Sequence, residues 1–243
     1  VRKKTIINEL EKDEIVYLHD FVSIFKNVSE STIRRDLKTL EEEGLIELLH
    51  GGAAKLKNSS SYDMPIESKQ YLHTAEKDRI AKFAASLVKE GEVIYIDSGT
   101  TTLGMVKYLR SSHVQVVTSN TDIIDKIKGA RFSCVMLGGE ITETLGSVVG
   151  PITDSLLENL FFDKAFIGAT GYSVESGITT PDFREANKKK IVKNNSKEVF
   201  VLLDSSKAGK KALCKVFDLT DCTIITDKAT DILEKTQNYL LAE

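Results

Sequence analysis

From about Ala75 onward, stretches of helical spacing alternate with short apolar runs rich in β-branched residues: Val93 to Ile96, Val114 to Val117, Phe132 to Leu137, Lys164 to Ile167, Glu198 to Leu203 and Thr223 to Ile225. Runs that are apolar along their length suit strands covered on both faces, and strands separated by helices pair in parallel. The larger part of the chain is therefore expected to be an α/β domain with a largely parallel sheet. Amphipathic segments from Ile66 to Glu90 and from Thr230 to Leu241 flank it.

The N-terminal part follows another period. Thr5 to Leu10, Leu18 to Phe25 and Ser29 to Glu43 carry apolar residues at helical spacing, broken by the charged turn Glu11 to Glu14 and by Lys26-Asn27. Ser29 is a natural N-cap and Gly44 a natural stop. Beyond Gly44, Leu45 to Leu49 and Ala53 to Leu56 flank His50-Gly51-Gly52, the pattern of a β-hairpin. Three helices and a hairpin predict a winged helix-turn-helix over residues 1–56. The polar sequence KNSSSYDMP then marks a linker, assigned to residues 57–74, which leaves 75–243 for the α/β domain.

Of 243 residues, 41% are hydrophobic and 28% charged, a balance that suits a globular chain with a real core. No apolar run reaches the roughly 18 to 20 residues of a membrane span, and VRKKTIINELEKDE lacks a signal peptide's apolar centre, so a cytoplasmic location and no membrane partner are expected. Cys134, Cys214 and Cys222 are far apart and predict buried, reduced thiols. The four histidines have no ligand-like spacing, so no metal and no cofactor are expected. Net charge is −3, and residues 1–57 hold ten Lys/Arg against eleven Asp/Glu. Any DNA binding must come from where cations project, because their reach is about one Debye length, roughly 8 to 10 Å.

On the helix from Ser29 to Glu43, at about 100° per residue, Ile33, Leu37 and Leu40 share one stripe. Ser31, Arg35 and Lys38 lie opposite, with Thr32 and Arg34 on the flanks. Guanidinium forks and small hydroxyls are what a recognition helix needs for phosphates and guanine edges. Such a face also occurs on ordinary solvated helices; the preceding short helix, tight turn and wing favour DNA. The candidate contacts are Ser29, Ser31, Thr32, Arg34, Arg35 and Lys38, with His50 and Gly51 at the wing.

In the α/β part, Tyr95 to Thr102 leaves a strand and enters a helix. Its glycine, hydroxyls and helix-terminal N–H groups can cradle a phosphate. No GxxxxGK[ST] pattern is present. Thr118-Ser119-Asn120, Gly138-Gly139, Gly168-Ala169-Thr170-Gly171 and Asp204-Ser205-Ser206-Lys207 also end strands, and Glu185 and Lys189 stand four apart on one helix. Each fragment has a plain reading too: turns, a surface ion pair, a solvated cation.

Val28-Ser29-Glu30-Ser31-Thr32-Ile33-Arg34-Arg35-Asp36-Leu37, followed by Leu40-Glu41, Gly44-Leu45 and His50-Gly51-Gly52-Ala53, resembles the signature of the DeoR family of bacterial repressors. One departure is the strand before the turn, where members commonly carry arginines and this chain reads Ile46-Glu47-Leu48-Leu49. The C-terminal segments resemble the family's effector domain, which implies the fold of ribose-5-phosphate isomerases and coenzyme A transferases. By that resemblance Ser98, Gly99, Thr100, Thr101, Thr102 and Lys207 hold the phosphate of a phosphorylated sugar. Asp97, Asn120, Glu185 and Lys189 meet its hydroxyls, with Gly138 beside them. The expected function is a repressor, a homodimer or homotetramer on operator DNA, controlled by that sugar. One alternative is a sugar-phosphate isomerase with Glu185 as base and Lys189 as its partner, although the loop Gly168 to Tyr172 offers no carboxylate; another is a winged helix that serves protein contacts alone.

Overall fold

The computed structural model describes residues 2–13, 15–57, 66–109 and 113–243. These form two compact units, one of residues 2–57 and 66–72, the other of residues 73–243.

In the first unit, α1 (Arg2–Lys12), α2 (Leu18–Ile24) and α3 (Glu30–Glu42) pack with strands β1 (Val16–Tyr17), β2 (Ile46–Leu49) and β3 (Ala53–Leu56), which pair antiparallel in the order β1-β3-β2. Ile6, Ile7 and Leu10 meet Phe21 and the stripe Ile33, Leu37 and Leu40 in one buried cluster. Each such side chain contributes about 1.5–3 kcal/mol by leaving water. The wing turns through Gly51 and Gly52 at φ 88° and 78°, a left-handed backbone that a Cβ disfavours. The two-residue β1 is too short to announce itself by alternation.

Of the linker expected at 57–74, residues 58–65 lie outside the described residues. Residues 66–72 depart from that reading: they include α4 (Ile66–Lys69), and Leu72 is buried in the first unit's core. The overlapping amphipathic reading from Ile66 onward suits a helix there, but Ile66, Tyr71 and Leu72 alone give too little period to assign a core.

The second unit opens with α5 (Thr74–Ser86), followed by β4 (Val93–Ile96), α6 (Thr100–Gly104), β5 (Gln115–Thr118) and β6 (Ser133–Met136). A hairpin of β7 (Glu140–Thr142) and β8 (Ser147–Val149) precedes α7 (Pro151–Leu157), β9 (Phe162–Gly168), β10 (Gly171–Ser173), β11 (Gly177–Thr180) and α8 (Phe183–Asn194). The chain closes with β12 (Ser196–Leu202), β13 (Cys214–Phe217), β14 (Thr223–Thr226), α9 (Asp231–Thr236) and β15 (Tyr239–Leu241). Seven strands run parallel in the order β15-β14-β12-β9-β4-β5-β6, while β10, β11 and β13 make a small antiparallel sheet.

Both faces of the parallel sheet are covered. Ile94, Ile96, Phe166, Phe200 and Leu202 pack with Ile80, Ala81 and Ala84 of α5. The alternating Tyr95, Ala165, Ile167 and Val201 pack with Ala186 and Val192 of α8. From β4 the chain steps outward to β5 and β6, then returns to β9 on the other flank of β4. The loops after β4 and β9 therefore diverge to opposite faces, the switch point where open α/β sheets bind ligands.

The closing segment from Thr230 to Leu241 is not one amphipathic element: α9 stops at Gln237, with φ 56°, and Tyr239–Leu241 adds a parallel edge strand to β14. All three cysteines are free; Cys222 is buried, which pushes its thiol up to about 12, whereas Cys134 and Cys214 are half-buried. Among the described residues no helix is long and apolar enough to cross a membrane, and no cluster of His, Cys, Asp or Glu could hold a metal ion.

Candidate DNA-reading helix and sensor site

Ser29 caps α3, its hydroxyl accepting from the Thr32 N–H at 3.3 Å, and the Ser31 and Thr32 hydroxyls lie 3.0 and 2.8 Å from it. The three form one hydroxyl cluster at the start of the helix. Opposite the buried stripe, Arg35 and Lys38 are exposed and their side chains bond with no described residue. Arg34 is exposed as well, but Glu30 holds its guanidinium at 2.8 Å. Asp36 accepts both prongs of Arg2, at 2.7 and 3.3 Å, which ties α3 to α1. His50 and Gly51 stand exposed at the wing tip. The strands below carry a compensated pair, Lys55 with Glu47 at 3.1 Å, and add no unpaired cation to the wing.

In the second unit the network forms at the switch point. Asp97, fully buried, follows β4, and its Oδ2 accepts from the Gly168 N–H at 3.0 Å and from Lys189 of α8. Lys189 also reaches Glu185 Oε2 at 3.1 Å. One residue earlier, the fully buried Lys188 places its Nζ 2.8 Å from Glu185 Oε1, 2.7 Å from Ser147 Oγ, 2.9 Å from Ser119 Oγ and 3.2 Å from the Val148 carbonyl. Ser98 Oγ lies 2.8 Å from Ser119 Oγ and 2.7 Å from Ser147 Oγ, and the Tyr95 hydroxyl 2.9 Å from Ser119. Two carboxylates, two ammonium groups and four hydroxyls thus share one network.

Its electrostatics are settled by pairing. Burial pushes the Glu185 carboxyl up, but Lys188 and Lys189 outweigh it and hold the group well below the ordinary carboxylate range. Burial likewise disfavours the charge on Lys189, and Asp97 with Glu185 reverses that, raising it above its ordinary value. The Tyr95 hydroxyl is pushed well up, by burial first and by Asp97 next. A Glu185 so firmly ionised is a weak proton acceptor near neutral pH.

The other predicted residues divide. Gly99 is the N-cap of α6, so the N–H groups of Thr100, Thr101 and Thr102 have no partner within the helix. The Thr101 hydroxyl bonds with no described residue. The Thr102 hydroxyl instead turns inward and donates to the Asp97 carbonyl at 2.7 Å. Asn120 Oδ1 accepts from the Asp122 N–H at 3.0 Å, whereas its buried Nδ2 and the buried Asp97 Oδ1 have no partner. The Gly138 carbonyl accepts from Thr153 at 2.9 Å. Lys207 lies in the turn after β12, two strands from β4; burial raises the nearby Asp204 carboxyl, and Lys207 leads the groups that bring it below its usual value.

Glu185 and Lys189 are therefore a buried pair, and the surface ion pair that their spacing also allowed is set aside. Sequence reasoning missed Lys188 and Ser147 and left Ser119 as a mere strand end. A signal for Lys188 was present: Glu185, Lys188, Lys189 and Val192 occupy one stripe of α8 at the spacing of a buried face.

Residues 2–59 match the DeoR-like helix-turn-helix domain, and residues 72–228 match the DeoR C terminal sensor domain. The chain belongs to the DeoR family. It is a transcription regulator that binds DNA through its helix-turn-helix and carries an effector-sensing domain, and it is not an enzyme. This DeoR-family chain is 39% identical over 233 residues to the uncharacterised HTH-type transcriptional regulator FruR of Bacillus subtilis (strain 168), covering 95% of this chain and 92% of that one. It is 33% identical over 217 residues to the lactose phosphotransferase system repressor of Streptococcus mutans serotype c, covering 87% and 86%. Among solved structures it is similar to ribose 5-phosphate isomerase A of Methanocaldococcus jannaschii, with a TM-score of 0.41 and 23% identity over 55% of this chain and 54% of that one.

Proposed function

We propose that this regulator represses an operon of sugar metabolism and that a phosphorylated sugar bound in the second unit controls its hold on operator DNA. The observation that carries the reading is the meeting of Asp97, Glu185 and Lys189 beside the Ser98–Thr102 loop at the switch point of the sheet. The free N–H groups of Thr100, Thr101 and Thr102, the Gly99 turn and the Ser98 and Thr101 hydroxyls hold the phosphate, with Lys207 adding charge. Thr102 takes part through its N–H alone. Asp97, Asn120, Gly138, Glu185 and Lys189 meet the sugar. The similarity to a lactose phosphotransferase system repressor supports a sugar system as the target.

In the first unit, Arg35 reads base edges and Lys38 holds phosphate, with Ser29, Ser31, Thr32, Arg34, His50 and Gly51 lining the contact. A symmetric dimer or tetramer presents two such helices to the half-sites of an operator. A thermal-shift screen of the whole chain against phosphorylated sugars and their unphosphorylated parents tests the sensing half. A ligand at 100 times its Kd adds about 2.7 kcal/mol, so one phosphorylated sugar should raise Tm while its parent does not. Equal shifts from both, or none from any sugar phosphate, would refute it.

A further inference from the structure

We propose that Lys188 makes the sensor site electrically neutral and thereby restricts the non-phosphate part of the ligand to an uncharged polyhydroxy group, a sugar or polyol, against sugar acids and amino sugars. This rests on the sugar-phosphate reading above and goes further by assigning the ligand's charge and a residue that sets it.

The charges decide the matter. Asp97, Glu185, Lys188 and Lys189 are each at most 3% exposed, so water does little to screen them. Lys189 alone bridges both carboxylates and would leave the pair with one uncompensated negative charge. Lys188 supplies the missing positive charge at 2.8 Å from Glu185, and Ser119, Ser147 and the Val148 carbonyl take up the rest of its hydrogen-bonding capacity. What stays unmet is one acceptor and one donor, Asp97 Oδ1 and Asn120 Nδ2, both buried.

Hydroxyls match that remainder, because a hydroxyl can donate to a carboxylate oxygen and can equally accept from an amide. A ligand carboxylate would set a second negative charge against Asp97, with no free cation of the network to answer it. A ligand ammonium could donate to Asp97 but would leave the Asn120 donor unmet and bring a charge that nothing balances. Both atoms are buried, so a hydroxyl that meets them must enter the protein interior.

The test is calorimetry of the whole chain with glucose, fructose and sorbitol 6-phosphates as neutral probes, and with 6-phosphogluconate and glucosamine 6-phosphate as charged ones. The best neutral probe should bind wild type at least tenfold tighter than either charged probe. Two variants move the charge in opposite directions. Lys188→Met leaves the site at −1 and should shift preference toward glucosamine 6-phosphate by tenfold or more. Glu185→Gln, close to the native shape, leaves it at +1 and should shift preference toward 6-phosphogluconate. A merely structural role for Lys188 would weaken all probes alike. Wild type that binds a charged probe as well as the best neutral one, or folded variants that keep the wild-type ranking, would overturn the proposal. Should Lys188→Met fail to fold, the wild-type ranking and Glu185→Gln still decide it. Failure of every phosphorylated probe on wild type would instead remove the sugar-phosphate reading, and this proposal with it.

Discussion

Helices α3 and α8 are made of similar residues and use them in opposite ways. Each begins at a side-chain cap, Ser29 or Asp182, and each carries a cluster of cations, Arg34, Arg35 and Lys38 on one, Lys188, Lys189 and Lys190 on the other. On α3 the apolar stripe faces the core and Arg35 and Lys38 stand in water without partners. On α8 the buried face holds Glu185, Lys188 and Lys189 together with Ala186 and Val192, and its charges answer one another. An unpaired exposed cation is available to an outside anion at little cost in stability, whereas a buried one belongs to the fold. Composition does not separate these roles; the pairing of each charge does.

The sharpest test of that difference is stability. Lys189→Met takes from the buried Asp97 its ammonium partner and leaves Glu185 with Lys188 alone, and should cost about 3–5 kcal/mol in chemical denaturation. Arg35→Ala, which removes a cation that bonds with no described residue, should stay within about 0.5 kcal/mol of wild type. Comparable losses from the two would break the comparison. The pH dependence follows from the same pairing. The carboxyl of Glu185 is depressed in the folded chain, so its contribution is present above the unfolded value near about 4.3 and fades as pH falls toward the folded one. The raised Lys189 contributes below its unfolded value of about 10.4 and fades only as pH climbs past it. Between roughly pH 5 and 10 the contributions of Glu185 and Lys189 should both be fully present. Below about pH 5 wild type should lose stability, and Glu185→Gln, with nothing to protonate at that position, should lose less over the same range.

Operator affinity is the next largest effect and should respond to α3 and not to α8. Arg35→Ala should cost about 1–3 kcal/mol on a specific site if the guanidinium is bidentate to a base, and the loss should shrink on operators altered at that base. Titration of a folded variant on matched and altered operators checks it; unchanged affinity would remove Arg35 from the interface.

How much of this was legible in the sequence depended on whether the cause was local. The six short apolar runs announced six of the seven parallel strands, because strands covered on both faces are apolar along their length. Helix α3 was legible as a helix from end to end, since its cap Ser29, its stripe and its stop Gly44 all lie within sixteen residues. The short β10, β11 and β13 were not, and the constraint that shapes them is remote: a Cβ at Gly177 would come within 2.3 Å of the Phe217 carbonyl forty residues away. Lys188 shows the same limit from the other side. Its place on the stripe with Glu185, Lys189 and Val192 marks Lys188 for burial but not its partners, Ser119 and Ser147 on distant elements. Ser147 reaches the site because β8 forms an isolated bridge with Asn120, a pairing that no local pattern encodes.

On the sensor side, Thr101→Ala and Lys207→Ala should each weaken the effector about tenfold, near 1.4 kcal/mol, because each removes one donor to the phosphate. Neither should alter operator binding in the absence of effector. Calorimetry with the sugar phosphate, beside operator titrations of both variants, measures the two effects separately. Loss of operator binding in a folded variant would make the loop structural.

The smallest expected effect distinguishes the two exposed cations of α3 from each other. Lys38 is a compact charge on a flexible stem without partners, suited to a phosphate, while the planar fork of Arg35 suits a base edge. A single phosphate contact releases about one condensed counterion. Lys38→Ala should therefore lower affinity for operator and unrelated DNA by similar factors and flatten the slope of log K against log salt by about one. At high salt the variant and wild type should converge, since the lost term is the one that salt already weakens. Arg35→Ala should keep most of its deficit there, because a base contact is carried by hydrogen bonds as well as charge. Operator and random-sequence titrations across a salt series tell the two apart. If Lys38→Ala instead loses affinity for operator alone, the roles of the two cations are exchanged, and Lys38 reads sequence while Arg35 anchors the backbone.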